Sequence, residues 1–106
     1  MGNIYHSDVV RVTKEDIENG EPENIKCCAV ALAVERTFTK HYENIEQQVG
    51  ERGYISFRDK DTKKHIYHLE ISDIDTSEIS RFVDEFDGGY YVEPFEFNAT
   101  MREGSL

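Results

Sequence analysis

Eight consecutive apolar residues, Cys27-Cys28-Ala29-Val30-Ala31-Leu32-Ala33-Val34, leave this chain little freedom in how it folds. A helix that is apolar all round offers no face to water and must be covered on every side. Ala and Leu favour helix, and the alanines at 29, 31 and 33 let neighbouring elements come close. The pattern predicts a central helix over 25–36 or 25–38, with Asn24 as its cap. The run is far shorter than the ~20 apolar residues that cross a bilayer. With no basic or apolar leader in Met1-Gly2-Asn3-Ile4-Tyr5-His6, a cytoplasmic location is expected. A phage-encoded chain would then sit in the host cytoplasm.

The covering elements can be read on either side of that helix. Residues 8–13 are β-branched and predict a strand. Thr13 caps a short helix over 14–19, whose Glu15 and Asp16 suit the helix dipole. Gly20 is placed to end it in the left-handed region. Residues 45–49 alternate, as do 54–58 and 64–71, which predicts a meander of two or three strands. The segment Asp75-Thr76-Ser77-Glu78 reads as a capping box with Asp75 in the cap position. The helix it opens carries Ile79, Phe82, Val83 and Phe86 on one stripe, and Gly88-Gly89 stops it. Tyr90 to Phe97 is extended, with Phe95 and Phe97 facing the core and one of the two tyrosines exposed. Pro94 places this segment at a sheet edge or delays its pairing until after the proline. The expected fold is a single α+β domain over 1–106. It holds an antiparallel or mixed sheet of about four strands, with two main helices on one face. The element order is β-α-α-β-β-β-α-β, with 98–106 frayed.

Charge narrows the function. The chain has a formal net charge of −10. Between Glu70 and Glu96 nine acids face one base, Arg81, whereas Arg58, Lys60, Lys63 and Lys64 form a small basic loop. So acidic a chain argues against direct nucleic-acid or anionic-membrane binding, which needs a basic surface. It suits a protein partner with a basic surface. Asp73, Asp75, Glu78, Asp84, Glu85, Asp87 and Tyr90 are the candidate contacts, because aromatics within a charged rim are what recognition surfaces use. Net charge that merely keeps a small domain soluble is the plainer alternative.

Chemical motifs are sparse. Cys27 and Cys28 are adjacent, too strained to bridge each other, and read as two buried thiols of a reducing compartment. Their place near a helix start would favour a thiolate, but packing explains them better. His65 and His68 stand three apart on a strand and point to opposite faces, so they do not chelate one metal. Asp73 and Asp75 are explained as capping and solvated charge rather than acid–base chemistry or a divalent-ion site. No phosphate loop or nucleophile elbow occurs. No catalytic residue, cofactor or metal is therefore expected.

Two stretches carry a likeness. The first is Val12-Thr13, Ile17 to Gly20 and Cys27-Cys28-Ala29-Val30-Ala31-Leu32-Ala33. The second is Phe82-Val83-Asp84-Glu85-Phe86-Asp87-Gly88-Gly89 with Val92-Glu93-Pro94-Phe95-Glu96-Phe97. Together they resemble a small uncharacterised family of phage and bacterial proteins with a CPVALA-like helix. Cys28 stands where that family has Pro. The resemblance implies a phage or prophage origin and no activity.

The leading expectation is a non-enzymatic acidic interaction protein, a phage-type inhibitor of a host defence or nucleic-acid-handling protein. The alternative is an oligomeric binder of a small nucleotide signal, using Arg58, Lys60, Lys63, Lys64 and Tyr67. An enzyme built on Cys27 with scattered His and Asp ranks last. An aromatic edge strand near 90–97 would also be compatible with a homodimer.

Overall fold

The computed structural model of the protein describes residues 4–50 and 52–104, the first two as backbone. Its elements are β1 (Ile4–Val12), α1 (Lys14–Asn19), α2 (Ala29–Thr37), a 3-10 turn (Thr39–His41), β2 (Ile45–Val49), β3 (Ile55–Asp59), β4 (His65–Glu70), α3 (Asp73–Asp87) and β5 (Phe95–Glu103). The fold is α+β. Five strands, rather than about four, form one sheet in the order β1-β5-β4-β3-β2, and every pairing is antiparallel. The 3-10 turn between α2 and β2 is a further departure from the expected order.

The apolar run dictates this architecture. Ala29, Val30, Ala31, Ala33 and Val34 of α2 are all fully buried. The sheet curls so that α2 packs against both of its edges, β1 and β2. Inward residues from every strand complete the core: Val10 and Val12, Val49, Ile55 and Phe57, Leu69, then Phe97, Ala99 and Met101. The second large helix packs against one end of the sheet, with the Phe82 ring tilted against that of Phe95 at 4.8 Å between ring centroids. Gly53, in the β2–β3 turn, allows this approach. A Cβ there would lie 2.6 Å from the Thr76 carbonyl oxygen, and its φ of +79° suits glycine.

Several local expectations are corrected. Asn24 does accept from the Lys26 and Cys27 amides, but that closes a turn, and α2 begins only at Ala29 with Cys28 as its cap. Ser72, not Asp75, caps α3, its hydroxyl accepting from the Asp75 amide. Gly20 has φ −71°, so no left-handed geometry is involved. Close approach explains it instead, since a Cβ would lie 2.5 Å from the Ala29 amide nitrogen. The stretch expected to fray forms most of β5 through Glu103, with Ala99 and Met101 buried. Pairing with both β1 and β4 holds it. β5 is accordingly an interior strand, not an edge, and its pairing starts after Pro94. Residues 105 and 106 lie outside the described residues.

One polar junction ties α1, α2 and β1 together. Thr13 and Asp16 form a reciprocal capping box at the start of α1. The Asp16 carboxylate is buried, and Arg36 of α2 grips it through two parallel bonds of 2.8 Å. The same guanidinium donates to the Arg11 carbonyl of β1 at 2.7 Å. Burial pushes the Asp16 carboxyl upward. The Arg36 and Thr13 hydrogen bonds outweigh it and hold the group below its ordinary value.

A folded pKa below the unfolded one stabilises above the ordinary value of 3.8 and ceases to do so as pH falls through the folded pKa. Asp16→Asn is expected to cost about 2 kcal/mol at neutral pH, since charged hydrogen bonds are lost and Arg36 is only partly screened. This corresponds to a Tm lower by about 10 °C for a domain of this size. Thermal melts across pH check it: the gap between wild type and variant should be widest near neutrality and close below about pH 4.

Candidate functional site: an acidic and aromatic face on the third helix

The outer side of α3 follows from its inner side. Ile79, Phe82, Val83 and Phe86 turn to the core, so helical geometry sends Asp73, Glu78, Arg81 and Asp84 to solvent. Gly88 then ends the helix, and Gly89, at φ +79°, reverses the chain. Tyr90 folds back over Gly88, where an added Cβ would lie 2.9 Å from the tyrosine ring. Its amide donates to the Glu85 carbonyl at 2.9 Å. Beyond it Tyr91 projects into solvent, 82% exposed, while Val92 turns inward. Both tyrosines are therefore exposed, where one was expected.

This path leaves a groove of about 300 Å³ between α3 and residues 91–95. Phe82, Val92 and Phe95 give it an apolar floor, and Glu78, Glu85 and Glu93 an acidic rim. Arg81 stands on the same rim and pairs with Glu78 at 3.7 Å, both well exposed, which contributes little stability. A shallower hollow of about 570 Å³ lies on the other flank of α3, where Tyr54 and Arg52 meet Asp73 and Asp84. The exposed side chains of Tyr54 and Tyr91 thus flank the acids of one helix. The arrangement can receive a cationic side chain, whose charge meets the rim and whose stem or guanidinium plane meets an aromatic ring.

Of the seven residues expected to contact a partner, Asp73, Glu78, Asp84 and Glu85 are brought to this face, and Tyr90 lies over Gly88 at the end of the helix. Asp87 is engaged within the protein, accepting from the Glu23 amide at 2.7 Å. Asp75 points toward a separate surface shared with Ser7, Asp8 and Thr100. Tyr54, Tyr91 and Glu93 belong to the face but were not among the expected contacts. Two adjacent exposed tyrosines before a proline were the available signal for Tyr91. Tyr54 reaches the site only through the β2–β3 turn.

The basic loop disperses. Arg58 binds Glu46, which also lies 3.6 Å from both Lys26 and Lys63. Burial raises the Glu46 carboxyl, but the Arg58 hydrogen bond and the three cations bring it below its ordinary value. Lys64 is exposed, and Tyr67 is half-buried with its ring 6.3 Å from that of Tyr42. These residues do not converge on one pocket.

Among the described residues no group of three or more His, Cys, Asp or Glu could hold a metal ion, and no helix is long and apolar enough to cross a membrane. The two cysteines are free, but only Cys28 is buried. Burial pushes its thiol up, and the Asp87 charge acts in the same direction against three backbone hydrogen bonds. It is therefore no thiolate. Cys27, expected to be buried, is exposed because α2 starts after it. A thiol reagent should label one cysteine per folded chain, Cys27, and two after denaturation. Mass spectrometry of the native and unfolded adducts checks this.

No family model, curated protein or solved structure matches the chain.

Proposed function

We propose that this is a non-enzymatic interaction protein whose α3 face binds a basic surface on another protein. The observation that carries the reading is the acid-rimmed, aromatic-floored groove beside the fully projecting Tyr91. Exposed tyrosines cost a small domain solubility and contribute nothing to its core, yet they are the side chains most often found at binding hot spots. Surrounding carboxylates raise the encounter rate with a basic partner and reject acidic ones. Carboxylates can also occupy the place of phosphates on a protein that handles nucleic acid. Together with the phage-type sequence resemblance, this favours an inhibitor of a host defence or nucleic-acid-handling protein.

Native mass spectrometry of the tagged protein recovered from bacterial lysate at low salt tests the reading. A protein partner in fixed ratio is expected. It should be released near 1 M salt, where the Debye length is about 3 Å. It should also be absent when Asp84→Lys and Glu85→Lys are combined, with the variant melting as the wild type does. Retention of the partner by that double variant would overturn the proposal.

A further inference from the structure

β5 outruns one of its two neighbours. β1 pairs with it from Phe95 onward, but β4 pairs only with Thr100 to Glu103, because the chain leaves β4 at Glu70 to enter α3. On the β4 side the first part of β5 therefore has no strand beside it. Alternation decides which backbone groups are left there. Just past β5, the Gly104 amide donates to the Ile66 carbonyl at 2.8 Å, so the even-numbered residues of β5 turn N–H and C=O toward β4. Thr100 and Arg102 meet β4 in this way. Asn98 and Glu96 turn the same way and find no strand, and among the described residues no other backbone group bonds them on that side.

Side chains leave this edge open as well. Glu96 leans to the opposite side, its carboxylate 3.2 Å from Arg11 of β1. Hollows lie at both ends of the edge. Pro94 lines the acid-rimmed groove of α3, and Asn98 lines a hollow of about 800 Å³ that also holds Ser72 and Asp75 from the start of α3. Buried backbone groups are nearly always paired, so two successive outward residues without partners mark an edge open to water or to another chain.

Charge selects the occupant. Asp8, Glu70, Asp75, Glu78, Glu85 and Glu93 line the two hollows against one base, Arg81. A second copy of this chain, with its net charge of −10, is repelled there. An extended segment with cationic side chains at alternate positions meets both demands. In strand addition the backbone supplies affinity and alternate side chains supply selectivity. We propose that the open edge of β5 at Glu96 and Asn98 receives an extended basic segment of the partner as a short additional strand, its lysine or arginine side chains reaching the acids of α3. The inference rests on the reading of the α3 face as a site for a basic protein, and it gives the form of the bound segment.

The test is a nitrogen-15 NMR titration of the full chain with a blocked six-residue peptide of alternating arginine and threonine, and with its counterpart of alternating glutamate and threonine. In the free protein the Glu96 and Asn98 amides should exchange with solvent at least about tenfold faster than those of Phe97 and Ala99, which face β1. The arginine peptide should shift the Glu96 and Asn98 signals and slow their exchange by about tenfold or more, and the glutamate peptide should do neither. Glu96→Pro removes one of the open N–H groups without breaking a bond to β1. It should weaken the arginine peptide by about tenfold, close to the worth of one hydrogen bond, relative to Glu96→Gln, which lacks the same charge but keeps the amide. Slow exchange at Glu96 and Asn98 in the free protein would overturn the proposal. So would exchange that stays fast at saturating peptide, or equal affinity in the two Glu96 variants. If the Glu78, Glu85 and Glu93 signals still shift in those cases, the basic-partner reading stands and only the added strand fails. No shift at millimolar arginine peptide also rejects the added strand, and the partner sought from lysate then judges the α3 face separately.

Discussion

A short helix without a polar face can be stable only when something covers every side of it, and α2 imposes that demand on the whole fold. A flat sheet would cover one side. The five-stranded sheet instead curls until both edge strands touch α2, and the small side chains of Ala29, Ala31 and Ala33 permit the close contact. Curling leaves an open end, which α3 closes with Phe82, Val83 and Phe86. The position of the acidic face is thus a consequence of the core. The residues that turn outward on α3 are those that the plug cannot use.

Curling also brings two strand edges near one another, and each edge has backbone groups to satisfy. On β1 the Arg11 carbonyl receives Arg36, whose other bonds go to the buried Asp16. On β2 the Val49 amide donates to the Ile25 carbonyl, in the turn leading into α2. The elements flanking α2 therefore serve both edges, and pairing with another chain is discouraged there. The Asp16 fork has the larger part. It sets the angle between α1 and α2 and fixes α2 to the first strand, although its two partners are twenty residues apart.

Much of this was legible in the sequence wherever side-chain periodicity decides the matter. The alternation of Ile45, Gln47 and Val49 marks β2 at its observed bounds, and the stripe on α3 identifies its buried residues. Caps were harder. Ser72 and Asp75 are both good cap residues, and the choice of Ser72 gives the helix nearly another turn. Asn24 is a good cap whose side chain is consumed by a turn. Tertiary pairing decided β5: Asn98-Ala99-Thr100 has little strand propensity, but two neighbouring strands supply its hydrogen bonds. The acidic face was legible in part, because its helix carries six of the nine acids between Glu70 and Glu96. Tyr54 arrives from a distant turn, and no local pattern announces it. The basic loop misled for the opposite reason. Residues adjacent in a tight turn point in different directions, so Arg58 and Lys63 go to Glu46 while Lys60 faces a hollow that Lys40 and Tyr42 also line.

The distribution of charge separates the α3 face from the region between α2 and β2. On α3 the rim acids outnumber the single Arg81, and Tyr91 projects beside them, so a large partner can approach. Between α2 and β2 the Glu46 carboxylate is instead compensated by three cations, whereas Glu35 accepts only from the uncharged Gln47 amide. Electrostatic screening makes the α3 face sensitive to salt. Exposed charges on α3 lose their reach beyond about 8 Å at physiological ionic strength.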